Sequence, residues 1–367
     1  MKDKKKLFDY CIGNPPYQIE QISTDTDSSQ KNYAPPVYNL FMDAAIEVAS
    51  KVELIHPARF LFDAGSTPKQ WNEKMLHDEH FKVLHYEENS DVYFPSLSSP
   101  LKGGVAITYH DNSKEFGAIK VFTKFPELNS ILHKVTEDDK FASFSNIVYS
   151  RTEYRLTEQM HTDRPEARYV ENEEHEQIGG LLSKGHDYDM SSNIFERIPA
   201  IFFDTKPTDG NDYIQVIGRS GSKRITKYIL RRYVNTTDNL DAYKLFVPQA
   251  NGAGNFGEVN TMPITASPKT AHTETFISIG KFDSEDECEA TRKYICTKFL
   301  RTLLGVLKVT QNGNKPVWRF IPLQDFTSDS DIDWSKSIHE IDLQLYRKYG
   351  LTAEEINFIE TNVKEMA

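Results

Sequence analysis

The stretch FDYCIGNPPYQ, residues 8–18, carries the reading of the fold. Phe8 to Ile12 is aromatic and aliphatic, the composition of a buried parallel strand. Gly13 then frees the backbone, and Pro15 and Pro16 forbid a helix or a ladder from continuing. The spacing therefore predicts a strand that ends in a stiff, extended loop. In open α/β sheets, loops beyond the carboxyl ends of strands are where ligands bind.

Outward from that loop, residues 1–135 alternate between the two periodicities. YNLFMDAAIEVASK has apolar positions at helical spacing, VELIHP reads as a strand and TPKQWNEKMLHD as a helix. FKVLHYEE and GGVAITYH are further strands, which makes an α/β sheet built from βαβ units. PSLSSP is a turn-rich loop, and the glycines of LKGGVAITYH read as a turn leading into a strand. Beyond residue 140, DYIQVIGRSG, AYKLFVPQ and TFISIG are short strands bounded by turn residues, as in a separate α+β domain spanning 140–330. EDECEATRKYICTKFLRTLLGVLKV reads as one long helix, acidic at its start and basic toward its end. Residues 331–367 form an acidic helical tail expected to be a solvated surface, with Thr352 and Glu355 spaced as a capping box.

A chain of 367 residues is long for a single core, in keeping with that division. The formal net charge of −11 excludes a uniformly basic coat but allows a basic face. Cys11, Cys288 and Cys296 lack metal-ligand or CxxC spacing and suit a reducing compartment. No stretch approaches membrane-spanning length, and a cytoplasmic protein is expected. The eleven histidines show no paired-ligand spacing, so no metal is predicted.

The proline loop has chemistry of its own. An exocyclic amine on an aromatic ring is a poor nucleophile because its lone pair is delocalised into the ring. Two acceptors placed tetrahedrally around its N–H bonds would draw the lone pair out of conjugation. Asn14 offers a side-chain carbonyl and Pro15 a main-chain carbonyl in a rigid loop, an arrangement that stabilises charge developing on nitrogen. Pro16 stiffens the loop further, and Tyr17 supplies a ring on which an extruded base can stack.

NPPY, Asn14 to Tyr17, resembles motif IV of amino-group methyltransferases that use S-adenosylmethionine. With YNLFMDAAIEVASK, VELIHPARFLFDAG and DVYFPSLSSPLKGGVAITYH behind it, the chain resembles adenine-specific DNA methyltransferases, restriction-modification methylases of the Eco57I type above all. HTETFISIGKF, YICTKFLRTLLGVLKVTQ and PLQDFTSDSDIDWSKSI are similar to the target-recognition region of that family. The resemblance implies a Rossmann-like methyltransferase sheet followed by an α+β target-recognition domain. It implies S-adenosylmethionine as cofactor, double-stranded DNA as partner, and adenine N6 as the methylated atom. Protein and RNA amino-group methyltransferases also carry NPPY.

The family's motif I, a Phe-x-Gly-x-Gly turn for the cofactor, is not found ahead of Asn14, so the sheet reads as incomplete. GAGNFG, Gly252 to Gly257, fits a dinucleotide fingerprint, but Pro263 and Pro268 leave no room for the helix that must follow, and it reads as a turn. The expectation is that a second polypeptide supplies the cofactor half, or that the chain is a DNA-binding specificity subunit or degenerate methylase without activity alone. Two stretches free of acidic residues offer DNA contacts: residues 215–232, with Arg219, Lys223, Arg224 and Lys227, and residues 291–320, with Lys298 and Arg301. Arg219 and Arg224 flank SGSK, a flexible loop able to reach a groove. His56, in IHPARF, reads as a satisfied structural histidine, with Arg59 near it.

Overall fold

The computed structural model describes residues 6–18, 35–62, 66–95, 101, 103–308 and 310–366. They fall into two compact units, 1–129 and 130–367. Unit 1 contains β1 (Phe8–Gly13), α1 (Tyr38–Val48), β2 (Ala49–Pro57), α2 (Lys69–Leu76), β3 (Phe81–Glu87) and β4 (Val105–Asp111). Its strands form one mixed sheet in the order β1-β2-β4-β3, with β1 parallel to β2 and β4 antiparallel to both neighbours. β1–α1–β2 is a parallel crossover as the sequence predicts, but β3 pairs antiparallel with β4 and not with β2, so the sheet is not built from βαβ units throughout. Gly104, at φ +75°, makes the turn into β4, where a Cβ would meet the Glu87 carbonyl oxygen.

Tyr38, Met42 and Ala45 of α1 pack with Val52, Leu54, Phe60, Trp71 and Phe81 on one face of this sheet, and Cys11 of β1 joins them. The other face of β1 departs from expectation. Phe8, Tyr10 and Ile12 point the opposite way and are 59%, 62% and 74% exposed, so β1 is a parallel strand but not a buried one. Burial needs neighbours on both sides. Among the described residues β1 has a partner strand on one edge and a packed layer on one face. Lysines cover part of the open face: Lys51 lies 5.1 Å from the Tyr10 ring and Lys82 4.4 Å from that of Phe116.

α3 (Pro126–Thr136) contains the division between the units. Ser130 and Lys134, on its later turns, hydrogen-bond the Glu355 carboxylate at 2.7 Å each, which places them in unit 2 and moves the boundary ahead of residue 135. Unit 2 continues with α4 (Glu158–Asp163), β5 (Val170–Glu171), β6 (Gln177–Gly179) and α5 (Ile194–Arg197). β7 (Tyr213–Ser220), β8 (Lys223–Leu230), β9 (Tyr243–Pro248), β10 (Ile264–Ala266), β11 (Thr270–His272) and β12 (Phe276–Phe282) follow. They build the sheets β11-β7-β8 and β10-β9-β12 around a core that includes Tyr154, Ile214, Val216, Ile229, Phe246 and Phe276.

The long helix expected after Asp283 is two helices, α6 (Glu285–Cys296) and α7 (Lys298–Leu304). Thr297 sits between them in an extended conformation and caps α7 by accepting the Leu300 N–H. The Asp342 carboxylate takes the N–H groups of Lys298 and Phe299, so the freed amides are satisfied and the break is stable. Asp342 belongs to α8 (Ile338–Lys348), which with α9 (Ala353–Asn362) packs against α6 and α7. Residues 331–367 are thus part of unit 2 and no separate tail: Ile341, Leu345, Tyr346, Phe358 and Ile359 are buried. The capping box of Thr352 and Glu355 is formed as the sequence predicts. All three cysteines are free. Among the described residues no helix is long and apolar enough to cross a membrane, and no group of three or more acidic, histidine or cysteine side chains is placed to hold a metal.

Candidate functional site

The parallel pairing of β1 with β2 brings the carboxyl ends of the two strands, Gly13 and Leu54 onward, to the same end of the sheet. The proline loop leaves from that end. Asn14 and Pro16 are exposed, Pro15 is half-buried, and the Tyr17 ring packs against the unit 1 core. The Tyr17 carbonyl accepts the Val37 N–H at 3.1 Å, which ties the end of the loop to the start of α1. Asn14 is therefore exposed, beside the Tyr17 hydroxyl, while both ends of the loop are held. Burial, opposed by the neighbouring Asn14 side chain, pushes the Tyr17 hydroxyl up to about 12, so it stays protonated and neutral.

Phe94 is the group at this site that the sequence reading did not single out. Its ring stands edge-on to Tyr17, with centroids 6.2 Å apart. A short turn holds it: Asn89 caps the turn by accepting the Asp91 N–H, and the Phe94 N–H donates to the Ser90 carbonyl. The aromatic pair YF in DVYFPSLSSP was the available signal, but nothing local in sequence connects it to Tyr17. Most of PSLSSP lies outside the described residues.

His56 is structural, as read. It is fully buried, 2.7 Å from the Thr108 hydroxyl and stacked on Tyr38, and burial lowers it to about 4, so it is neutral. Arg59 is exposed on the turn after β2. The glycine fingerprint, residues 252–257, is a turn with no helix behind it. Its amides are already engaged, because the Glu258 carboxylate accepts the N–H groups of Ala253 and Gly254 at 2.8 and 2.9 Å. Burial alone would raise the Glu258 pKa, but those two amides and the Lys308 ammonium at 3.0 Å hold it below its ordinary value. A carboxylate of the chain itself thus occupies two amides that the turn would need for a ligand. Among the described residues this glycine turn therefore offers no fitting seat for S-adenosylmethionine.

The basic candidates separate. SGSK is no flexible loop but the tip of the β7–β8 hairpin, a two-residue turn whose first residue, Gly221, has φ +57°. Arg219 and Arg224 face each other across the ladder, followed toward the tip by Ser220 and Lys223. Lys227, farther from the tip, is paired with Asp204 at 2.5 Å. Lys298 is committed to Glu360, and Arg301 is buried with its guanidinium donating to the carbonyls of Glu258 and Lys364. These last two hold α7 against the carboxyl-terminal helices, which leaves Arg219, Lys223 and Arg224 of the hairpin as the exposed ones among these candidates.

Residues 1–93 match the model of the Eco57I restriction-modification methylase family, and the likeness read outward from the proline loop is borne out over that segment, which lies within unit 1. No curated protein matches the chain. Among solved structures, the chain is similar to one described as the type IIG restriction endonuclease BpuSI. That similarity has a TM-score of 0.31 and 8% identity, and covers 91% of this chain and 48% of that one. The chain therefore spans about half the length of that structure.

Proposed function

We propose that the protein is the base-positioning and target-recognition part of an adenine-N6 DNA methyltransferase of a restriction-modification system. The observation that carries this reading is the NPPY loop, at the carboxyl end of β1 inside the segment that matches the methylase family. Asn14, on an exposed and anchored loop, accepts one N–H of the target amine, and the Pro15 carbonyl accepts the other. Pro16 keeps the two acceptors at fixed spacing. Tyr17 stacks on the extruded base, with Phe94 bracing its ring from the side. Duplex DNA is the substrate, and the β7–β8 hairpin supplies its contacts through Arg219, Lys223 and Arg224.

S-adenosylmethionine is the methyl donor that family membership implies, and it supplies an electrophilic methyl group. With the Gly252–Gly257 turn filled by Glu258, this reading places the donor outside the described residues. The open edge and apolar face of β1 support a second body, in the same polypeptide or another, that completes the sheet and holds it. The same observation favours an alternative reading, a specificity subunit with no activity alone.

The test is Asn14→Ala, measured as labelled methyl transfer to duplex DNA in the assembly that methylates. Loss of one preorganised acceptor should lower the rate by about a hundredfold or more, with DNA affinity unchanged. Transfer near the wild-type rate would make the loop a structural turn.

A further inference from the structure

A cavity of about 390 Å³ lies in unit 2 beside the tip of the β7–β8 hairpin. Arg219, Ser222 and Arg224 of the hairpin line it, together with Arg151, Gln249 and Glu274 from other parts of the chain. Three guanidinium groups therefore converge on one opening in a protein whose formal net charge is −11.

The surrounding ion pairs make this concentration selective. Along the same basic run, Lys227 is neutralised by Asp204, Arg231 by two bonds to Asp241, and Arg232 by Asp163. The cations at and beside the cavity are more weakly paired. Arg219 donates to the Gly221 carbonyl, Arg151 reaches Glu274 only at 3.8 Å, and Lys223 and Arg224 have no carboxylate partner among the described residues. Arg219 and Arg224 also stand directly opposite each other across the ladder, an unfavourable pairing of like charges. Carboxylates pair closely with the later part of the basic run, whereas at the cavity one carboxylate, Glu274, faces three guanidinium groups and leaves a net positive charge. The tip is accessible as well, since a Cβ placed on Gly221 would meet nothing within 4 Å.

We infer that this cavity seats a phosphodiester of the DNA backbone, held by Arg151, Arg219 and Arg224. The inference rests on the DNA reading above and assigns Arg151 to it. Rigid guanidinium forks match phosphate oxygens, and the Ser222 hydroxyl adds a donor. Reading one base edge needs one such fork and no surplus charge, whereas a phosphate and its neighbours along a strand call for several. The seat fixes the register of unit 2 on the duplex and carries no sequence information.

The test uses the 367-residue protein and fluorescently labelled duplexes of unrelated sequence, titrated by anisotropy over a salt series. Arg151→Gln and Arg224→Gln should each weaken binding to all duplexes by similar factors. Each should reduce the slope of log affinity against log salt by about 0.9. Lys227→Gln, at a position already neutralised by Asp204, should leave the slope unchanged. A loss confined to one sequence would make the cavity a base reader, and unchanged slopes in the arginine variants would make it a solvated surface. Both results overturn the seat while leaving DNA binding intact. Wild-type protein that binds no duplex would overturn the seat and the DNA reading together.

Discussion

In β1, FDYCIG, and in β12, FISIGKF, large apolar side chains alternate along strands of similar length. β12 is buried at every position but Lys281, whereas β1 is exposed at every position but Cys11. The difference lies in their neighbours. β12 pairs with β9 on one edge, while Val148 bridges to Ile279 and the Tyr149 N–H donates to the Ser278 carbonyl on the other. Among the described residues β1 has β2 on one edge and the α1 layer on the Cys11 side. Apolar composition thus records the layer a strand is suited to receive, and burial reports whether that layer is present. A strand with an unpaired edge and an apolar face turned to solvent is otherwise a liability that proteins suppress.

Matched truncations give the sharpest contrast between the two strands. Ile279→Ala, in the packed core of unit 2, should cost about 2–5 kcal/mol in chemical unfolding. Ile12→Ala, at an exposed position of β1, should change stability by no more than about 0.5 kcal/mol. A large loss from Ile12→Ala would mean that β1 is already covered in solution, and the comparison would break.

Acid should act on the two units alike. Each contains a fully buried histidine, His56 in unit 1 and His272 in unit 2, and burial lowers each to about 4. An unfolded chain takes up those protons near pH 6.5, before the folded protein does, so stability falls as pH drops from about 6.5 toward 4. The loss should approach a few kcal/mol per histidine. Replacing His272 by Phe in its ring of Tyr154, Phe246 and Phe276 should flatten this dependence for unit 2 without flattening it for unit 1. Equal acid sensitivity of unit 2 in the variant would show that other groups govern it.

The features legible in the sequence are those decided within one turn or one strand. The proline loop, the strand before it, the βα alternation of unit 1 and the Thr352–Glu355 box all follow from local spacing. Features decided by distant partners were not legible. Asp342 stabilises the break at Thr297 from 45 residues away in sequence, Glu355 draws the end of α3 into unit 2, and Lys308 pins the carboxylate that fills the glycine turn. The exposure of β1 was illegible for the opposite reason: its residues describe a covered strand, and the cover is not among its neighbours here. At the site, Asn14 to Tyr17 could be read directly, while Phe94 reaches Tyr17 only through the fold.

In the proposed function this chain positions the amine while another body, completing the sheet at β1, holds the methyl donor. Calorimetric titration of S-adenosylmethionine into the purified 367-residue protein tests it most directly. No binding in the micromolar range is expected, because Glu258 occupies two amides of the glycine fingerprint and, among the described residues, nothing packs over the outer face of β1. A micromolar or tighter dissociation constant for the protein alone would contradict it.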